Sequence, residues 1–246
     1  MIAGRFPRIR VVLSRTSHPG NIGAAARAMK TMGLSRLVLV RPALFPDRQA
    51  RVMSSNALDV LDQARVCETL GEALEGAALA VAFTARVREL AHAPEDIRVL
   101  ASEALAVAAN QDVALVFGNE TAGLTNEEVM LCNRLAHIPA DPEYSSLNLA
   151  AAVQVVCYEL RRAALEGKTA GAGAELAPVQ DVERFYGHLE ASMLASGFLD
   201  PERPRRLMER MRRLFGRAGL EKEEINILRG MLRAWDEHGK DRTRGS

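Results

Sequence analysis

The 246-residue chain balances 32 Lys and Arg against 31 Asp and Glu, and 48% of it is hydrophobic, enough for one large α/β domain or for a smaller domain with an appendage. A net charge of +1 neither requires nor excludes a polyanionic partner, but seven of the arginines crowd into residues 201–217 against only two glutamates. Three cysteines (Cys67, Cys132, Cys157) and five scattered histidines lack paired or ligand-like spacing, which argues against a disulfide framework and against a metal site.

The first residues, MIAGRFPRIRVVLSR, lack the apolar run of a signal peptide, and every later apolar run is broken well short of a membrane span; a cytoplasmic protein is expected. Arg8 to Leu13 predicts a short buried strand. In HPGNIGAAARAMKTMG, Asn21 is expected to cap an alanine-rich helix that Gly33 ends, with Arg27 and Lys30 on one face and Gly20 and Gly23 at its start. Arg36 to Val40 predicts a strand, Ser54 to Leu61 a helix and Ala64 to Cys67 another strand. Thr69 and Glu72 form a capping box, and Leu79 to Thr84 is a strand whose end, Phe83 to Arg86, would lie where open parallel sheets bind ligands.

Pro94 to Ala109 predicts a helix opened by Glu95 and Asp96. Val113 to Phe117 is apolar throughout, as in a sheet covered on both faces. It runs into GNETAGL, where Gly118 admits close approach of a ligand and a side chain would project towards it. A second capping box, Thr125 with Glu128, opens a helix to Cys132. Leu135 to Ile138 is the last strand. It leads through PADPEYSS, stiffened by Pro139 and Pro142, to a long apolar helix with Leu149, Val153, Val156, Cys157 and Leu160 on one face. Tyr144, Ser145 and Ser146 present hydroxyls at that helix start, suited to an acceptor-rich ligand.

Residues 1–166 therefore read as an α/β domain with a mostly parallel sheet, 167–178 as a flexible linker from the run GKTAGAGAE, and 179–246 as an all-α extension. Helices are expected over Val179 to Ala195, Pro204 to Phe215 and Glu221 to Glu237, with a frayed end. In the second of these, Leu207, Met211 and Leu214 supply an apolar stripe, leaving Arg206, Arg210 and Arg213 on another face, either the solvated face of an amphipathic helix or a surface that tracks the phosphates of a polyanion.

Taken together, HPGNIGAAARAMKTMG, VALVFGNETAGLTNEE and IPADPEYSSLNLAAAVQVVCYEL, in that order, resemble the three motifs of SpoU-type ribose 2′-O-methyltransferases, a branch of the SPOUT superfamily; ERFYGHLE and EINILRGML resemble the extension of its tRNA-acting members. The resemblance implies S-adenosyl-L-methionine as cofactor, a homodimer, and a SPOUT-type sheet with a C-terminal trefoil knot. It also implies tRNA as substrate, methylated on the ribose of cytidine or uridine at nucleotide 32 of the anticodon loop. Carried over position by position, the cofactor contacts fall on Phe83, Thr84, Ala85, Gly118, Ile138, Ser145, Ser146 and Leu147. Arg27 falls on the family's essential arginine, and Asn21, Glu120, Ser146 and Asn148 on its other polar catalytic positions. Phe83 stands where the family pattern has a smaller residue. The alternatives are a ribosomal-RNA ribose methyltransferase of the same fold and a non-catalytic RNA-binding relative; no G-x-G-x-x-G follows the first strand, against a dinucleotide enzyme.

Overall fold

The structure, a computed structural model, describes residues 6–85, 94–167 and 175–244. After a 3-10 turn at Phe6–Arg8, the elements run β1 (Ile9–Ser14), α1 (Pro19–Met32), β2 (Arg36–Val40), α2 (Arg48–Ser54), α3 (Leu58–Asp62), β3 (Arg65–Cys67), α4 (Leu70–Ala73) and β4 (Ala77–Phe83). They continue with β5 (Glu95–Asp96), α5 (Ile97–Val107), β6 (Asp112–Phe117), α6 (Asn126–Met130), β7 (Arg134–His137), α7 (Leu149–Leu165), α8 (Val179–Ala195), α9 (Leu207–Gly216) and α10 (Lys222–Arg244).

Seven strands form one sheet in the order β3-β2-β1-β6-β4-β7-β5, and every pairing among them is parallel. Parallel neighbours need crossovers, so both faces carry helices and the central strands are apolar on both sides. Ile9, Val11, Leu13, Leu115 and Phe117 pack under the helices α1, α5 and α7. Val12, Val38, Ala114 and Val116 meet Leu70, Leu124, Val129 and Val179 on the other face. One charge is embedded in this sheet: the Arg10 side chain is 4% exposed. Its guanidinium donates to Asp112 at 2.9 Å and to the carbonyls of Ala73 and Glu75 at 3.1 and 3.0 Å, the pairing a buried cation requires. The layer of α1 on α2 is close because α1 offers no side chain at Gly23, where a Cβ would lie 2.0 Å from the Ala50 carbonyl oxygen.

Several local expectations are corrected. Helix α1 begins two residues before Asn21, with Pro19 in its first turn and His18 at the N-cap position without a side-chain bond; proline's fixed φ starts the helix and frees the Asn21 amide for other work. The single helix expected over Ser54 to Leu61 is two short ones, α2 and α3, broken at Ser55, whose φ is +53°. Glu95 and Asp96 do not open a helix turn but pair with β7 as an edge strand, and the Asp96 carboxylate caps α5 by accepting from the Arg98 amide at 2.9 Å. Thr125 and Glu128 make the reciprocal box; at Thr69 the Glu72 side chain accepts from the Glu68 amide instead. The last helix continues to Arg244 rather than fraying after Glu237.

Of the expected linker, residues 168–174 lie outside the described residues, as does Arg86. Its last part is docked: the Ala177 amide donates to the Leu220 carbonyl at 2.9 Å, and the Gln111 side chain donates to the Leu176 carbonyl at 2.8 Å. The extension has its own core of Phe185, Tyr186, Leu189, Ile225 and Leu232. Two arginines clasp it to the α/β domain in opposite senses, Arg134 donating to the Gly216 carbonyl at 3.1 Å and Arg212 to the Met130 carbonyl at 3.4 Å. Arg212 also pairs with Glu183 and lies 4.4 Å from the Tyr186 ring centre. In α9 the packed apolar residues are Leu207, Met208, Met211 and Phe215, whereas Leu214 is 49% exposed, a correction to the expected stripe.

The close approach of α1 and α2 leads to the expectation that Gly23→Ala is destabilising although alanine is the better helix former. The new methyl meets a backbone carbonyl that cannot turn aside, so a cost of about 1–3 kcal/mol is expected, read as a lowered Tm in thermal denaturation.

Candidate active site

The carboxyl ends of β6, β4 and β7 are adjacent, and a cleft of about 820 Å³, open to solvent, lies beyond them. All eight positions expected to touch the cofactor line it: Phe83, Thr84 and Ala85 after β4, Gly118 after β6, Ile138 after β7, and Ser145, Ser146 and Leu147 before α7. Phe117 also lines the cleft, stacked on Phe83 with ring centres 4.6 Å apart and planes 6° from parallel. The large residue at position 83 thus forms an aromatic pair at the cleft wall. Sequence reasoning missed Phe117, although its place as the last residue of an apolar strand pointing at the same edge was available.

Gly118 also has a purpose within its own loop. A Cβ there would sit 2.2 Å from both the Gly123 carbonyl carbon and the Leu124 amide nitrogen. The absent side chain therefore lets the 118–124 loop close on itself, with Gly123 donating to the Asn119 carbonyl at 2.8 Å. A valine at 118 would disrupt this loop before it met any ligand.

Beside the cleft the Glu120 carboxylate gathers four donors: Asn21 Nδ2 at 2.9 Å, the Ser17 amide at 2.9 Å, the Ser17 hydroxyl at 2.7 Å and the His18 amide at 3.3 Å. Partial burial alone would raise its pKa, but the hydrogen bonds from Asn21 and Ser17 prevail and hold it at about 2. Asn21 is itself oriented by Asn148, which donates to Asn21 Oδ1 at 3.1 Å. The same Asn148 caps α7, accepting from the Ala150 and Ala151 amides at 2.9 and 3.4 Å. The cap is therefore Asn148 and not Ser146, which remains an exposed hydroxyl on the loop. Asn21, Glu120 and Asn148 are brought together; Ser17 completes the set and was not foreseen.

Arg27 projects from α1 into solvent and, among the described residues, its guanidinium has no hydrogen bond or ion pair. Lys30, one turn on, is instead committed to Asp59 at 2.7 Å and the Asn56 carbonyl at 2.8 Å. On α9, Arg210 and Arg213 are exposed, and Arg206 at its start pairs with Glu209 at 2.8 Å. Among the described residues no cluster of three metal-ligating side chains occurs, and no helix is long and apolar enough to cross a membrane.

The seven-stranded parallel sheet with its covering helices is a fold shared with SPOUT methyltransferases among its structural neighbours. The chain belongs to the SpoU rRNA Methylase family, whose model matches residues 8–158, and residues 180–244 match the C-terminal domain of the tRNA methyltransferase TrmJ. It is 53% identical over 237 residues, covering 92% of each chain, to the tRNA (cytidine/uridine/adenosine-2′-O-)-methyltransferase TrmJ of Pseudomonas aeruginosa. Its fold is similar to that of TrmJ from Z. mobilis, with a TM-score of 0.80, 33% identity, and 92% and 98% of the two chains covered. It is also similar to AviRb of Streptomyces viridochromogenes, solved in complex with the cofactor AdoMet, at a TM-score of 0.53 and 27% identity over 64% of this chain and 61% of that one.

The Glu120 cluster generates an acid-stability expectation. A carboxylate whose folded pKa is lowered from 4.5 to about 2 contributes stability that is complete above pH 4.5 and lost as the pH falls through about 2. Thermal scans of wild type against Glu120→Gln should show a stability gap at neutral pH that narrows progressively below pH 4.5. A gap independent of pH would mean that Glu120 acts by shape alone.

Proposed function

We propose that the protein transfers a methyl group from S-adenosyl-L-methionine to the ribose 2′-hydroxyl of tRNA, at cytidine or uridine 32 of the anticodon loop. The observation that carries this reading is the convergence of all eight cofactor positions on one cleft beside the Asn21–Glu120–Asn148 cluster, in a chain that matches the TrmJ relatives through both of its parts. The cleft suits the cofactor in its lining, with aromatic side chains on one wall and backbone and hydroxyl groups on the loops. When bound, the cofactor supplies an electrophilic sulfonium methyl group to a ribose oxygen.

The chain's own residues divide the remaining work. Glu120 is no base for the hydroxyl proton, because its pKa is far below neutrality and both oxygens are already occupied by donors. Its role is to position Asn21, and through Asn21 the cap of α7 and the loop before it. Arg27 presents an exposed guanidinium with no hydrogen-bond or ion-pair partner among the described residues, which suits bidentate grip of the phosphate beside the target ribose and in-line orientation of the hydroxyl. Arg206, Arg210 and Arg213 offer a second phosphate-tracking face on the extension. The family's trefoil threading belongs to this reading too, with β6 inserted between β1 and β4 and α7 returning onto α1 and α5.

The reading includes a homodimer with shared sites. Leu147, Tyr158 and Leu165 are 42%, 50% and 62% exposed along the loop and α7, the helix that packs on α1, which carries the solvent-facing Arg27. A second copy of the chain covering it would bring Arg27 to the partner's cleft.

Methyl transfer to unmodified tRNA from radiolabelled S-adenosylmethionine tests the activity, with mapping of the methylated ribose. Arg27→Ala is expected to lose about 100-fold or more of the turnover, the scale of lost positioning, while calorimetry shows cofactor affinity unchanged. For the shared site, Arg27→Ala chains are mixed with Ser145→Trp chains, in which the bulky ring blocks the cleft. If sites are shared, one site of each mixed dimer is intact and roughly half of wild-type activity returns, given independent sites. Lack of recovery after verified exchange would place Arg27 with the cleft of its own chain.

A further inference from the structure

Among the described residues five non-glycine residues have positive φ, and four of them are arginines: Arg15, Arg41, Arg205 and Arg206. Arg15 and Arg41 hold equivalent positions, each one residue past the end of a strand, on neighbouring strands in parallel register. Ser14 pairs with Val40, and the next residues are Arg15 and Arg41, with φ of +53° and +46°. The pairing continues beyond the strands, the Arg15 amide donating to the Val40 carbonyl at 2.7 Å and the Ala43 amide to the Thr16 carbonyl at 3.0 Å. The two chains therefore run about 5 Å apart here, the spacing of hydrogen-bonded strands.

Left-handed backbone disfavours any side chain with a Cβ, and Arg41 precedes Pro42, which narrows its choices further. Glycine or asparagine would relieve both sites, yet two cations stand there side by side. The surroundings hold this geometry in place. The Arg15 carbonyl accepts from Asn119 Nδ2 at 2.8 Å, and its guanidinium meets Glu128 at 2.7 Å while its side chain stays 38% exposed. The Arg41 amide donates to the Cys67 carbonyl at 3.0 Å. Its side chain is exposed and, among the described residues, has no carboxylate or other partner. Strain retained at charged, solvent-facing positions is the mark of a binding role and not of packing.

Asn119 lines the cleft, so Arg15 is one hydrogen bond away from it and Arg41 lies one strand further out. We propose that Arg41, with Arg15 beside it, forms a phosphate-binding shelf at the carboxyl edge of the sheet that holds the substrate RNA backbone next to the nucleotide in the cleft. The ligand class is a phosphodiester: guanidinium groups grip its oxygens in pairs, and backbone contact fixes register without reading bases. This shelf rests on the reading of tRNA as substrate. It is separate from Arg27 on α1 and from the arginines of α9.

The test uses the full chain with Arg41→Gly, which removes the charge while suiting the backbone, Arg41→Lys, which keeps the charge, and the double variant Arg15→Asn/Arg41→Gly. Transcribed tRNA binding is measured across a salt series, with cofactor affinity and Tm as controls. Arg41→Gly should bind tRNA about five- to tenfold more weakly, the size of one screened charge-assisted contact. The slope of log K against log salt should become shallower by about 0.7–0.9, the value for one phosphate, and at least as shallow in the double variant, because Arg15 is already paired with Glu128. Cofactor affinity should be unchanged and Tm unchanged or raised, because backbone strain is released. Arg41→Lys should keep the wild-type slope. An Arg41→Gly protein with wild-type affinity and slope overturns the shelf, and does so without touching the substrate reading, which stands on wild-type methyl transfer to the same tRNA.

Discussion

The arrangement of this site depends on one carboxylate. Glu120 sits in a loop that must close tightly, since Gly118 lies almost in contact with the backbone of Gly123 and Leu124, and it is partly withdrawn from water. A carboxylate in such a place is tolerable only if donors replace the lost hydration. Those donors come from Ser17, His18 and Asn21, about a hundred residues earlier in the chain, and Asn21 passes the constraint to Asn148 at the start of α7. Three segments that would otherwise be independent loops are thereby made one unit. Because Asn148 also terminates the backbone of α7, movement of that helix start and movement of the cleft are the same event.

Much of the α/β framework was legible because strands buried on both faces read as continuous apolar runs and their crossovers as amphipathic or alanine-rich helices. What was not legible has common causes. Asn21 looks like a helix cap, yet Pro19 starts α1 early and puts His18 at the N-cap position, while α7 is capped by Asn148, past the hydroxyls of Ser145 and Ser146. Glu95 and Asp96 are acidic residues before a helix, and only their edge pairing with β7 distinguishes a two-residue strand from a first helical turn. Gly118 was recognised as a site of close approach, but which atoms approach it is a tertiary fact. The cleft residues were identifiable through family resemblance; no period or propensity ties Phe83, Gly118, Ile138 and Ser145 together.

Composition misled most about the join between the two parts. The run ending in Gly and Ala suggests a tether, but just beyond it Leu176 and Ala177 are engaged by Gln111 and Leu220, and the reciprocal Arg134 and Arg212 bonds close the interface from both sides. These bonds sort the arginines of residues 201–217 into two kinds. Arg212, fixed between Glu183, Tyr186 and Met130, is part of the structure that holds the extension. Arg210 and Arg213 remain outside. Helical spacing separates these roles only when the partner face is known, which is why Leu214 was placed inside and Phe215 was overlooked.

This sorting bears on how a chain with net charge +1 can serve a polyanionic substrate. Salt screens charges beyond about 10 Å at 0.1 M, so a bound RNA senses the charges within its footprint and not the total. Many of the acidic residues are committed elsewhere: Asp112 to Arg10 and Arg36, Asp59 to Lys30, Asp62 to Arg51, Glu159 to Arg162 and Glu183 to Arg212. Glu120, which lines the cleft, has both carboxylate oxygens engaged by four neutral donors from Ser17, His18 and Asn21. Arg27, Arg41 and Arg210 are exposed cations without a carboxylate partner among the described residues. The near-neutral total therefore says little about the footprint itself, where exposed cations stand on α1, at the carboxyl edge of β2 and on α9.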